Sequence, residues 1–150
     1  MIIYSENREL HQSVSISWDI AHHLYMRQRQ GCTALVIVQS PSSMLASIRK
    51  QWLKIVMKLQ RERSSTLQHR RSIELQGDIQ RMLSVRFKVG AQPVNQACDV
   101  LIICPSDIAN LADRLFNTVY VACPIDEEVL EQAIVTTLRN GLLVKYGGFA

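Results

Sequence analysis

The chain has 150 residues, with 17 Lys and Arg against 13 Asp and Glu, a net charge of +4 and 47% hydrophobic residues. That length suits one domain with a core that needs no staples, and the composition is that of a globular protein rather than a disordered or fibrous one. No apolar run reaches the roughly 20 residues of a membrane-spanning helix, and the opening MIIYSENREL turns polar too early for a secretory signal, so a cytoplasmic protein is expected.

From the N-terminus, Met1 to Tyr4 suits a short strand. Between Arg8 and Arg29, Leu10, Val14, Trp18, Ala21, Leu24 and Tyr25 share one face of a predicted amphipathic helix that Gly31 would close. His11, His22 and His23 lie off that arc, and adjacent residues diverge by about 100° on a helix. They read as solvated side chains rather than as ligands of one metal.

Thr33 to Val38 is an uninterrupted β-branched and aliphatic run, the pattern of a strand buried on both faces of a parallel sheet. It stops at Ser40-Pro41-Ser42-Ser43, where proline removes a backbone donor and Ser42 or Ser43 is the expected helix cap. The helix that follows carries the most informative pattern of the chain. At about 100° per residue, Leu45, Ile48, Trp52, Ile55, Val56 and Leu59 form a buried arc, while Lys50, Lys54, Lys58 and Arg61 gather in a stripe opposite it. Arg49 and Arg63 flank the arc. Glu62 is the only acid of the segment, so the stripe repels itself unless something anionic meets it.

Ser64-Ser65-Thr66 breaks the periodicity, and Leu67 to Leu83 reads as a further helix with Leu75, Ile79, Met82 and Leu83 aligned; Arg70 and Arg71 extend the basic tract. Ser84 to Val89 alternates like a strand with one polar face, which suits a sheet edge, and Gly90 to Gln96 reads as a loop. Two more buried strands follow, Asp99 to Cys104 and Thr118 to Cys123. They end in Pro105-Ser106-Asp107 and Pro124-Ile125-Asp126 and lead into helices containing Ile108, Leu111, Ala112 and Leu115, and Val129, Leu130, Ala133, Ile134 and Leu138. Asp107 and Asp126 are the expected caps. Gly141 would end the last helix before a final strand, Leu142 to Tyr146.

These units predict an α/β fold: a three-layer domain with a mainly parallel sheet of about five strands and helices on both faces, similar in class to Rossmann-like and P-loop-like domains without the phosphate loop. Parallel strands put the three proline turns on the same, C-terminal edge, so Ser42, Ser43, Ser106, Asp107 and Asp126 mark a candidate ligand edge. There is no GxxxxGK[ST], GxGxxG, GxSxG or HExxH, and Cys32, Cys98, Cys104 and Cys123 lack zinc spacing. The cysteines read as small buried hydrophobes. No catalytic residue, metal or cofactor is expected.

Charge is unevenly placed. Residues 1–90 hold 14 basic and 6 acidic residues, and residues 91–150 hold 3 and 7. The expected function is therefore a non-enzymatic regulatory or adaptor protein that meets a protein partner through Arg49, Lys50, Lys54, Lys58, Arg61, Arg63, Arg70 and Arg71. A nucleic-acid-binding protein using the same stripe is the first alternative, although the stripe lacks exposed aromatics for base stacking. A phosphate-binding or small-ligand enzyme at the C-terminal edge is the second. The polarity also lets the basic region of one copy meet the acidic region of another.

Overall fold

The computed structural model describes residues 4–9, 15–28, 33–90, 99–111 and 116–147. In chain order the elements are β1 (Tyr4–Arg8), α1 (Ile16–Gln28), β2 (Ala34–Ile37), α2 (Pro41–Ser65), α3 (His69–Ser84), β3 (Arg86–Val89), β4 (Asp99–Ile103), a 3-10 helix (Pro105–Leu111), β5 (Phe116–Val121), α4 (Glu127–Thr137) and β6 (Leu138–Tyr146). The strands form one six-stranded parallel sheet in the order β1-β6-β5-β2-β4-β3.

Handedness explains the layers. Crossovers between parallel strands are right-handed, so the direction in which the chain moves along the sheet decides which face its helix covers. The moves from β1 to β2 and from β2 to β3 run one way, and their helices α1, α2 and α3 share one face. There Ile20, Leu24, Ile48, Trp52, Leu75 and Met82 pack on Val36, Val100, Ile102 and Tyr120. The moves from β4 to β5 and from β5 to β6 run the other way. Their 3-10 helix and α4 cover the opposite face, where Ile108, Leu111 and Leu130 meet Leu35, Ile37, Leu101, Ile103 and Val119. Every residue of β2 is buried, as its apolar run predicts.

Several boundaries differ from the sequence reading. The first strand is Tyr4–Arg8, a polar segment that sequence assigns partly to a helix. Polar as it is, it pairs along its whole length with β6 at the sheet edge. The strand expected over Met1 to Tyr4 is described from Tyr4 and runs on to Arg8, and the sheet has six strands where about five are expected. Helix α1 is correspondingly shorter, beginning at Ile16 after Ser15, whose Oγ accepts the Trp18 N–H at 3.1 Å. Leu10, Val14, His11 and Gly31 lie outside the described residues, and Trp18 is 41% exposed rather than buried. Leu83 is likewise exposed, because α3 buries Leu75, Asp78, Ile79 and Met82. The segment after Pro105 is a 3-10 helix, and Ala112 and Leu115 lie outside the described residues. Gly141 does not end a helix: α4 stops at Thr137 and Gly141 is buried inside β6, next to a register shift between β5 and β6.

The edge strand β3 is placed as its alternation predicts. Phe87 packs its ring edge-on to Trp52, with centroids 5.4 Å apart, and Arg49 Nη2 reaches the strand to donate to the Phe87 carbonyl at 3.4 Å. Gly90, at φ 81°, turns the chain out of the strand in the left-handed region that glycine adopts without a Cβ penalty.

A polar network docks α1 on the sheet, and it corrects the histidine reading. Arg8 of β1 donates to Glu6 at 2.8 Å and to Asp19 of α1 at 2.6 Å, and the Tyr146 hydroxyl donates to the other oxygen of Asp19 at 2.7 Å. One turn on, His23 Nδ1 lies 2.5 Å from the Tyr120 hydroxyl, and a further turn on Arg27 donates to Thr118 at 2.7 Å. Asp19, His23 and Arg27 thus form an i, i+4, i+8 stripe facing the sheet, whereas His22, stacked on Trp18 at 3.9 Å, keeps to the outer side. Burial pushes the Tyr146 phenol far above its ordinary value, with the Asp19 hydrogen bond adding to it. Arg8 is held charged, chiefly by its hydrogen bond to Asp19.

Burial also lowers the His23 pKa from the ordinary 6.5; Glu6 and Asp19 oppose the shift, and Arg8 and Arg27 add to it. Folded His23 therefore resists a proton that the unfolded chain accepts. Its contribution is complete above pH 6.5 and is lost as pH falls from there through the folded value. We expect urea-unfolding free energy to decline from neutral pH toward pH about 5, and the His23→Gln variant to show a flatter profile over that interval. Identical slopes in the two proteins would show that His23 is not the group responsible.

Candidate interaction face and ligand edge

Helix α2 is 25 residues long, about 37 Å at 1.5 Å per residue. Pro41 occupies its first turn, where a missing N–H costs nothing. Ile48, Trp52, Ile55, Val56 and Leu59 are its buried residues, which matches the arc drawn from sequence except at Leu45, which is half-buried against the core. Trp52 also donates its indole N–H to the Met82 carbonyl of α3 at 3.0 Å, so the arc is pinned to the neighbouring helix as well as to the core.

Beyond Leu59 the hairpin of α2 and α3 leaves the core. Residues 60–65 are exposed, Leu67 at the turn is fully exposed, and α3 buries nothing before Leu75. The predicted cations fall here into two groups. Arg71 is engaged: its guanidinium bonds Glu62 at 2.8 Å across the hairpin and Glu74 at 3.5 Å, and Arg70 lies 3.7 Å from Glu74. Glu62 in turn keeps the Arg71 guanidinium charged. Arg49 is spent on the β3 edge. By contrast, Lys50, Lys54, Lys58, Arg61 and Arg63 are exposed and have no ion pair among the described residues.

Next to the free cations runs an apolar stripe that the sequence reading missed. Leu53 is 57% exposed and Met57 is 48% exposed. On the wheel they fall between the buried arc and the lysines, beside Gln60 and Ser64. Met57, Gln60, Arg61 and Ser64 line a shallow depression of about 280 Å³. Sequence contained the signal: Leu53 and Met57 are apolar residues one turn apart that fit neither the core arc nor the charged stripe.

The C-terminal edge of the sheet is where the proline turns predict it, because all six strands are parallel. Its candidate residues do not converge. The cap of α2 is Ser40, which makes no side-chain cap bond, so Ser42 and Ser43 sit inside the first turn rather than capping it. Ser106 Oγ and Asp107 Oδ2 both engage the Cys104 thiol, at 2.9 and 3.2 Å, and Asp107 lies within the 3-10 helix instead of before it. Asp126 precedes α4, and its carbonyl accepts the Leu130 N–H at 2.9 Å. Cys123 is buried as expected, and burial, with Cys104 nearby, pushes its thiol up; Cys104 is only half-buried and its thiol has polar partners, and Cys32 and Cys98 lie outside the described residues.

Of the edge residues, Ser43 alone lines a cavity of about 320 Å³, with Ser15, Ser17, Ser40 and Ser47. The cavity sits between the ends of β2 and β5, where chain connections diverge in opposite directions, and the first turns of α1 and α2 border it. Its polar lining is hydroxyl and amide groups with no carboxylate. Among the described residues, no three His, Cys, Asp or Glu side chains are grouped to hold a metal ion, and no helix is long and apolar enough to cross a membrane.

Fold and faces together define a three-layer parallel α/β domain with one unusually long, outward-facing helix. No protein-family model matches the chain, and no curated protein matches it as a relative.

The two faces of α2 should respond differently to substitution. Replacing Lys50, Lys54, Lys58 and Arg61 with Gln removes like-charge pairs at i, i+4, each unfavourable by about 0.2–0.5 kcal/mol, so urea unfolding should show stability unchanged or slightly raised. Trp52→Phe should cost about 1–3 kcal/mol by the same measurement, because it abandons a buried carbonyl and leaves a void. A large destabilisation by the Gln substitutions would show that the stripe is structural.

Proposed function

We propose that this protein is a non-enzymatic adaptor that docks an acidic protein surface on the outer face of α2. The observation that carries this reading is the pairing of two features on adjoining sides of one helix: exposed Leu53 and Met57 beside Lys50, Lys54, Lys58 and Arg61, which have no ion pair among the described residues. Water would solvate the cations alone at no cost, but the apolar side chains gain only by being covered. An apolar strip with a charged border is the anatomy of a protein interface, in which Met and Arg are enriched. A nucleic acid would use the cations for its phosphates and would have no use for Leu53 and Met57, which cannot stack on bases.

Binding to an acidic amphipathic helical peptide, and separately to duplex and single-stranded DNA and RNA, tests this across a salt series. The peptide should bind. Lys50, Lys54, Lys58 and Arg61 to Gln should abolish that binding, and Leu53→Ser with Met57→Ser should weaken it by about tenfold to a hundredfold. Nucleic-acid binding that depends on the cations but ignores Leu53 and Met57 would replace the reading with the nucleic-acid one.

The serine-lined cavity favours a second, narrower reading, a small anionic ligand bound at the C-terminal edge. Inorganic phosphate should then raise Tm in a saturable way, an increment lost in Ser43→Val, and a Tm that does not respond to phosphate above the effect of equal ionic strength would discard it.

A further inference from the structure

We propose that the partner received by α2 is a second copy of this chain, joined head to tail through the start of α4. This rests on the docking reading of α2 and names its occupant. The opposite layer of the molecule carries the complementary charge. Asp126, Glu127, Glu128 and Glu131 are all exposed at the start of α4 and have no ion pair among the described residues. Glu127, Glu128 and Glu131 share one side of the helix, away from buried Leu130. Beside them lies a concave site of about 340 Å³ lined by Cys123, Pro124, Ile125 and Leu130, with Glu127 and Lys145 at its polar border.

The two faces are complementary in charge, and each carries apolar side chains open to a partner. The α2 face sets exposed Leu53 and Met57 beside free cations, and the α4 site is a pocket with apolar Pro124, Ile125 and Leu130, Glu127 at its border, and the exposed carboxylates of Asp126, Glu128 and Glu131 next to it. A methionine or leucine side chain fits a space of that size, and its flanking lysines then reach Asp126, Glu127, Glu128 and Glu131. The two sites lie on opposite faces of the sheet, because α2 and α4 belong to opposite layers. They cannot meet within one molecule. Between molecules they form a heterologous contact, in which each copy offers its α2 to one neighbour and its α4 to another, and such contacts propagate into rings or open chains.

Sedimentation velocity on the full chain over a wide concentration range, at low and at high salt, tests this. The wild type should grow in mass with concentration at low salt and dissociate at high salt. A variant neutralised on α2 (K50Q, K54Q, K58Q, R61Q) and a variant neutralised on α4 (D126N, E127Q, E128Q, E131Q) should each sediment as a monomer. Their equimolar mixture has one intact contact and should stop at twice the chain mass. Met57→Ser, which leaves the charge unchanged, should weaken association of an otherwise native chain by about tenfold. Circular dichroism and urea unfolding verify that each variant is folded.

A wild type that stays monomeric at low salt overturns the proposal, as does a mixture that grows beyond the dimer or an α4 variant that still associates. If the wild type is monomeric and still binds the acidic peptide through Lys50, Lys54, Lys58 and Arg61, the docking face stands and only its occupant is wrong. If it neither associates nor binds the peptide, both fall.

Discussion

The handedness of parallel crossovers is the constraint on which the rest of this molecule depends. Ala34, Leu35, Val36 and Ile37 of β2 are buried alternately against both layers, so the sheet is stable only with helices on each side. Which helix goes where is then not free. From β2 the chain moves toward β3, which sends α2 and α3 to one face, and from β5 it moves toward β6, which sends α4 to the other. The most basic helix and the acidic start of α4 are thereby held apart by the thickness of the sheet. A charge asymmetry written along the sequence becomes a charge asymmetry across the fold, and its two poles lie too far apart to neutralise each other within one molecule.

What the sequence revealed follows the same logic. Strands buried on both faces show as unbroken apolar runs, so β2, β4 and β5 were legible, and their proline turns fell on one edge as parallel geometry requires. The α2 wheel was legible because 25 residues give the helical period enough repeats to stand out. The misses have a common cause. Tyr4–Arg8 carries Ser, Glu, Asn and Arg, a composition that no periodicity marks as a strand; it pairs at the edge, and its polar side chains are claimed by α1. The same contacts hid the inward side of that helix. Asp19, His23 and Arg27 face the sheet because Arg8, Tyr120, Thr118 and Tyr146 receive them there, partners up to 127 residues away that no local pattern announces.

The candidate site divides in the same way. Counting charges along 49–71 treats every Lys and Arg as part of one tract, whereas the hairpin sorts them. Folding α3 back on α2 brings Arg71 to Glu62 and Glu74, and Arg49 lies within reach of an edge carbonyl, so these cations serve the fold. The rest are left over. Leu53 and Met57 were passed over for the complementary reason: a wheel drawn to find a core and a charged stripe has no category for apolar residues that belong to neither.

That remainder carries the energetic argument. An exposed Leu and Met contribute nothing to the folded chain that a polar residue would not, and four cations at successive turns repel one another by a few tenths of a kcal/mol per pair. Stability of the isolated chain therefore offers no reason for this face. Covering Leu53 and Met57 removes apolar area from water, and carboxylates brought beside Lys50, Lys54, Lys58 and Arg61 turn mutual repulsion into attraction, so both costs change sign on contact. The buried arc of the same helix needs no such event, because Trp52 already satisfies its N–H on Met82 and packs on Phe87. One helix thus divides its circumference between two tasks. Its inner side is finished when the chain folds, and its outer side is left with exposed apolar and cationic groups that the fold itself does not use.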